Sequence, residues 1–185
     1  ESMLREDGEL YIFADPNQNI FGTPDHWRRL KKYTQSTQRL TQNFRNTEEI
    51  NKWLEPFVQG KSPKSRINGG IPVETHSWKD REEQRRYIEK EIGRLVSMGV
   101  APFRIMILSP YRREKSGLQD VAHIHQWPIV DYKDGGNGIP YATIRSFKGL
   151  EADILFLIDI KNGSRVCTEP DIYVGSSRAR YLLHL

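Results

Sequence analysis

Short apolar runs alternate with amphipathic stretches along most of the chain. Leu10-Tyr11-Ile12-Phe13-Ala14 predicts a short buried strand, and Asp15-Pro16-Asn17 supplies the turn chemistry to end it. Residues 22–36 are polar, with Trp27 and a basic cluster at Arg28, Arg29, Lys31 and Lys32; they predict a linker or a short surface helix. Arg39 to Phe44 is a second strand candidate. Asn46-Thr47-Glu48-Glu49-Ile50 then opens a helix. Asn46 or Thr47 can cap it, and the two glutamates suit the positive end of its dipole. Ile50, Leu54 and Phe57 or Val58 share one face of that helix, which runs to about Val58.

Residues 59–70 hold Gly60, Ser62, Pro63, Gly69 and Gly70 and predict a loop, with a strand following from Ile71 to Trp78. Asp80 to Met98 is the strongest helical pattern: Tyr87, Ile88, Ile92, Leu95 and Val96 fall in register, and Gly99 ends it. Phe103 to Ser109 predicts a buried strand that Pro110 stops, and residues 111–121 a short polar helix. His123 to Asp131 carries an ambiguous pattern, and Asp134 to Gly138 is a flexible turn. Tyr141 to Ile144 and Ile154 to Ile160 are strands, Pro170 to Arg180 a helix, and Tyr181 to Leu185 a last strand. Strands alternating with helices imply an α/β fold with a parallel sheet covered on both faces.

Composition narrows this picture only slightly. The 185 residues allow one α/β domain with a fragment of another. Twenty-eight Lys and Arg against 24 Asp and Glu give a net charge of +4, which permits a phosphate-bearing partner without requiring one. The single cysteine, Cys167, excludes an internal disulfide framework and a cysteine-rich metal site. No apolar run reaches the roughly 20 residues a membrane span needs, so a cytoplasmic setting is the expectation. His76, His123, His125 and His184 lack metal-ligand spacing and read as core or surface residues.

Four stretches carry candidate chemistry. Ala14 to Phe21 is a polar turn after an apolar run, and Asn43-Phe44-Arg45 closes a strand before a helix. Thr143-Ile144-Arg145-Ser146-Phe147-Lys148-Gly149-Leu150-Glu151 is a polar, basic loop entering an apolar strand, and Tyr173 to Arg180 holds Arg178. In a parallel sheet, ligands gather beyond the carboxyl ends of the strands, a placement that suits Asn43-Phe44-Arg45 and the Thr143 loop. Arg45 and Arg178 meeting Glu151 there would suit a polyphosphate.

In this order the four stretches resemble the third to sixth motifs of superfamily 1 helicases of the UvrD/Rep type. The matching residues are Asp15-Pro16-Asn17-Gln18, Asn43-Phe44-Arg45, Thr143 through Glu151, and Tyr173 through Ala179. The resemblance implies a P-loop NTPase-like, RecA-like second helicase domain over 37–185. Residues 1–36 would be the tail of the first RecA-like domain and a linker. It also implies an ATP-dependent DNA helicase or translocase, with ATP and Mg2+ bound only together with the N-terminal RecA-like domain of the same protein. Gln18, Arg45 and Arg178 would take catalytic roles at the γ-phosphate, the two arginines acting as arginine fingers. Effects of that kind are worth on the order of 10³–10⁵ in rate. Phe44 would stack on adenine, and Gly149 and Glu151 would contact the nucleotide, Glu151 through the ribose hydroxyls. Phe21, Thr143, Arg145 and Ser146 would face single-stranded DNA, next to duplex.

Departures from the motifs shape the expectation. The chain has no Gly-x-x-x-x-Gly-Lys-[Ser/Thr] phosphate loop; Gly60-Lys61-Ser62 imitates its end, with Glu55 where the first glycine belongs. No acidic Mg2+-binding strand precedes Gln18, and no metal site is expected in this chain. The isolated polypeptide is therefore expected not to hydrolyse ATP. Arg145 replaces the usual histidine of the fifth motif, and Thr23 stands where a tryptophan is usual after the third. The spacing from Arg45 to Thr143 leaves no room for the large inserted subdomain of longer relatives. The competing reading is a non-catalytic nucleic-acid-binding or interaction module on the same fold.

Overall fold

The structure, a computed structural model, describes residues 8–20, 26–58, 60–161 and 163–185. In chain order its elements are α1 (His26–Lys31), β1 (Gln42–Thr47), α2 (Glu48–Leu54), β2 (Lys64–Ile67), α3 (Arg81–Ser97) and β3 (Ile105–Ser109). They continue through β4 (His123–Ile124), β5 (Trp127–Asp131), β6 (Ile139–Thr143), β7 (Ala152–Leu157), α4 (Glu169–Ser176) and β8 (Ala179–His184).

Side-chain alternation along the central strands decides which helix covers which face. Met106 and Leu108 of β3, Ala142 of β6, and Leu155 and Leu157 of β7 point to one side. There they pack with Ile50 and Leu54 of α2 and Val174 of α4. Ile105, Ile107, Tyr141, Ile154 and Phe156 point to the other, against Ile88, Ile92 and Leu95 of α3. Each such fully buried aliphatic side chain contributes roughly 1.5–3 kcal/mol. The sheet order is β4-β5-β6-β3-β7-β8, parallel throughout except for the β4–β5 hairpin. The α/β parallel sheet with helices on both faces is therefore present.

α3 matches its sequence pattern closely: Asp80 caps it through the Glu83 amide at 2.8 Å, and Gly99 leaves it at φ 91. Thr47 caps α2, accepting from the Ile50 amide at 3.5 Å.

Other expectations need correction. Leu10 to Ala14 form no strand; Leu10, Tyr11 and Phe13 stand exposed, because among the described residues no strand pairs with this apolar run. The second strand begins at Gln42 rather than Arg39, and it pairs in parallel with β2, which lies inside the expected 59–70 loop. Residues 71–78 form no full strand. Their backbone instead meets β8 around a bridge from Glu74 to His184. Residues 111–121 contain only a short 3-10 turn at Arg113–Lys115, and Phe103 precedes β3 and is exposed. His123 to Asp131 is a hairpin turning through His125, at φ 53.

The outer edge of β8 is occupied at two places. Near its start, Asn46 donates to the carbonyls of Ala179 at 2.6 Å and Ser177 at 3.1 Å. Near its end, the Glu74 amide donates to the Leu183 carbonyl at 3.0 Å and the His76 amide to Leu185 at 2.7 Å.

At the carboxyl ends of β3 and β7, Asp159 sits buried at φ 61. Its carboxylate accepts from Ser109 at 2.7 Å, Gln84 at 3.0 Å and the Gly117 amide at 2.9 Å, which ties the 110–117 loop to the sheet.

Candidate functional site

β6 and β7 are consecutive, parallel and both hydrogen-bonded to β3. The chain must therefore return from the carboxyl end of one to the amino end of the other, and residues 144–151 make that crossing. Thr143 ends β6 level with Ser109, whereas Glu151 precedes the first residue of β7. At about 3.3 Å per strand residue, the two ends lie roughly 20 Å apart. The expectation of one cleft beyond the carboxyl ends holds for Thr143 only. Glu151 and Arg178 stand at the amino ends of β7 and β8.

At that amino end, four distant stretches meet. Arg45, from β1, donates through Nε to Glu151 Oε1. Arg178 follows α4 and is 1% exposed. Its guanidinium donates to the Val174 carbonyl at 3.1 Å, the Leu150 carbonyl at 3.4 Å and the Ser177 hydroxyl at 2.9 Å. Burial, reinforced by the nearby charge of Arg45, lowers its pKa to about 10; Glu151, Tyr173 and Asp15 pull the other way. Arg178 thus remains charged at neutral pH.

The 3-10 turn Pro16–Gln18 packs beside α4. Asp15 accepts from the Gln18 side chain at 2.9 Å and from the Tyr173 hydroxyl at 3.4 Å. Burial first, and the Asp15 charge second, push the Tyr173 hydroxyl up to about 12. Lys148 closes the group by donating to the Gln18 carbonyl at 2.9 Å. Sequence reasoning anticipated Gln18, Arg45, Glu151 and Arg178. It missed Asp15 and Tyr173, both within the stretches it singled out, as partners of the Gln18 turn; Asn46, just beyond Asn43-Phe44-Arg45, ties β1 to the start of β8.

Phe44 is 71% exposed, so its ring is free of the core. Gly149 takes φ 93, a left-handed conformation that other residues reach only at a cost, with open space where a Cβ would stand. Gly175 is constrained by packing instead: a Cβ there would meet Leu157 Cδ1 at 2.9 Å.

At the other end, Thr143 and Ser146 bond reciprocally. Their hydroxyls lie 3.0 Å apart, the Ser146 amide donates to Thr143 Oγ1 at 3.1 Å, and the Thr143 amide to Ser146 Oγ at 3.2 Å. Arg145 is exposed, with its Nε 3.7 Å from Asp171 Oδ1 near the start of α4. The structure therefore does not bring Thr143, Arg145 and Ser146 to the Arg45–Glu151 group; residues 144–151 and α4 run between the two. Phe21, the remaining expected DNA contact, lies outside the described residues, as does Thr23.

Among the described residues no three His, Cys, Asp or Glu side chains are placed to hold a metal ion. No helix among them is long and apolar enough to cross a membrane.

The sequence matches no protein-family profile and no curated protein. Among solved structures the chain is similar to the C-terminal domain of a possible DNA helicase from Lactobacillus plantarum WCFS1. That likeness has 17% identity and a TM-score of 0.57, over 77% of this chain and 86% of that one. It also aligns with the PRRSV helicase at 16% identity and a TM-score of 0.43, over 80% of this chain; it spans 22% of that helicase chain. The first likeness shows a shared fold: the two chains have the same arrangement of parallel sheet and flanking helices.

Proposed function

We propose that residues 37–185 form the second RecA-like domain of an ATP-dependent, UvrD/Rep-type superfamily 1 DNA helicase or translocase. Residues 1–36 then carry the end of the first domain and a linker, and the phosphate loop and Mg2+ ligands belong to the N-terminal RecA-like domain. The observation that supports this best is the convergence of Gln18, Arg45, Glu151 and Arg178 from four separate stretches on one edge of the domain.

Such an edge suits a nucleotide held between two domains. Arg45 and Arg178 would stabilise charge on the transferring phosphoryl group. Gln18 would orient the attacking water, Glu151 and Gly149 would contact the sugar side of the nucleotide, and exposed Phe44 would stack on adenine. Roughly 20 Å away, the Thr143–Ser146 turn and Arg145 offer hydroxyls and a cation to the phosphates of a single DNA strand. Residues 144–151 and α4, spanning both ends, would relay nucleotide state to DNA grip.

The test is the ATPase of the full-length protein with and without single-stranded DNA. Stimulation by DNA is expected, with Arg178→Ala lowering the stimulated rate at least about 10³-fold. An ATPase indifferent to DNA, or unchanged in the variant, would leave the chain as a non-catalytic nucleic-acid-binding module on this fold.

A further inference from the structure

Glu151 has an arginine beside each carboxylate oxygen, one hydrogen-bonded and one at ion-pair distance. Arg45 takes Oε1, and Arg180 Nε stands 3.9 Å from Oε2. Arg180 is fixed in turn: its Nη1 is 3.2 Å from Asp153 Oδ1, and its guanidinium lies over the Tyr181 ring at 4.9 Å. Asp153 is shared with Arg104, whose Nε donates to Oδ2 at 2.7 Å. Glu151, Arg180, Asp153 and Arg104 thus line, with Phe103, an open groove of about 240 Å³ at the amino ends of β3, β7 and β8, and Arg45 of β1 extends the alternating series at Glu151.

This series has a consequence for the nucleotide site, and it rests on the function proposed above. If Arg45 turns to phosphate, Glu151 loses its shorter contact at the moment its carboxylate must be aimed at the ribose. The groups left behind, two arginines and two carboxylates, balance in charge. Of these, Arg180 is the one that forms an ion pair with Glu151, at 3.9 Å.

We infer that Arg180 is a positioning residue, holding the Glu151 carboxylate toward the ribose hydroxyls while Arg45 is engaged with phosphate. It acts through Glu151 and does not itself touch the reacting atoms. Asp153 and the Tyr181 ring supply the rigidity this needs. A carboxylate without that second cation would be free to follow Arg45 away from the sugar.

The readout is sugar selectivity, which a purely structural residue would leave alone. In the full-length protein, kcat/KM for ATP is divided by that for 2′,3′-dideoxyATP, which lacks both hydroxyls. Arg180→Gln is expected to reduce that ratio about fivefold, the scale of part of a charge-assisted hydrogen bond, through KM rather than kcat. Arg180→Lys is expected to restore most of it, and Asp153→Asn to weaken it in the same direction. Arg45→Gln is expected to lower kcat and spare the ratio. Glu151→Gln separates the possible failures. If it collapses the ratio while Arg180→Gln and Asp153→Asn match wild type, the role of Arg180 is refuted and the nucleotide site stands. If Glu151→Gln leaves the ratio unchanged, the ribose does not rest on Glu151, and both readings fall together.

Discussion

Arg178 holds a charge where a charge is costly, so its replacement separates stability from activity. Chiefly by burial, its guanidinium is lowered well below the ordinary arginine range, to about 10. The difference corresponds to roughly 3 kcal/mol against the charged form. For a base with a depressed pKa the sign is clear. The cost is fully present below about pH 10 and is relieved only as pH rises from there toward the ordinary arginine range. Methionine has similar length and no charge. Few polar groups would be orphaned by it, since the Val174 carbonyl also accepts from Ser177 Oγ at 2.9 Å and the bond to Leu150 is long at 3.4 Å. Arg178→Met should therefore match wild type or exceed it by about 1–3 kcal/mol in urea unfolding at pH 7.5. In calorimetry that is a rise of about 2–4 °C per kcal/mol. The same substitution should abolish DNA-stimulated ATPase in the full-length protein. A loss of more than about 1 kcal/mol would refute the reasoning, because it would make the buried cation a net structural asset.

Two further outcomes follow from burial. Asn46→Ala strips the Ser177 and Ala179 carbonyls of a buried donor and should cost about 2–4 kcal/mol in urea unfolding; a change below about 0.5 kcal/mol would show that water replaces the amide. Cys167 is buried and its thiol is pushed up to about 12 by desolvation, so iodoacetamide at pH 8.5 should label it only as fast as the chain unfolds; prompt labelling of the native chain would contradict this burial.

The elements that the sequence made legible are those whose patterns are satisfied locally. α3 carries its own cap, its own apolar stripe and its own stop, and β3, β6 and β7 are apolar enough to be buried on both faces. β2 was hidden because Lys64 to Ile67 sit among Gly, Ser and Pro and become a strand only through β1, a distant partner. Leu10 to Ala14 erred the other way. An apolar run reads as a strand whether or not a sheet is there to receive it.

The candidate site divided along the same line. Identities such as Arg45, Glu151 and Arg178 were legible as ordered motifs, but their placement was not. Parallel pairing of β6 and β7 with β3 forces the 144–151 crossing. That crossing, which no periodicity reports, separates Thr143 from Glu151 by the length of the sheet. Arg180 was within a stretch already singled out, and only the neighbouring Asp153 and Glu151 give it a role.

The doubly occupied edge of β8 also bears on how this domain behaves among its own copies. A parallel sheet ending in an open strand offers unpaired amides and carbonyls to any extended segment, including the exposed Leu10–Phe13 run of another molecule. Here Asn46 takes the carbonyls at the start of β8, and the Glu74–His76 backbone takes those at its end. Strand addition from outside must first evict one of them. The edge is thereby shut against polymerisation by two segments that never complete a strand there themselves.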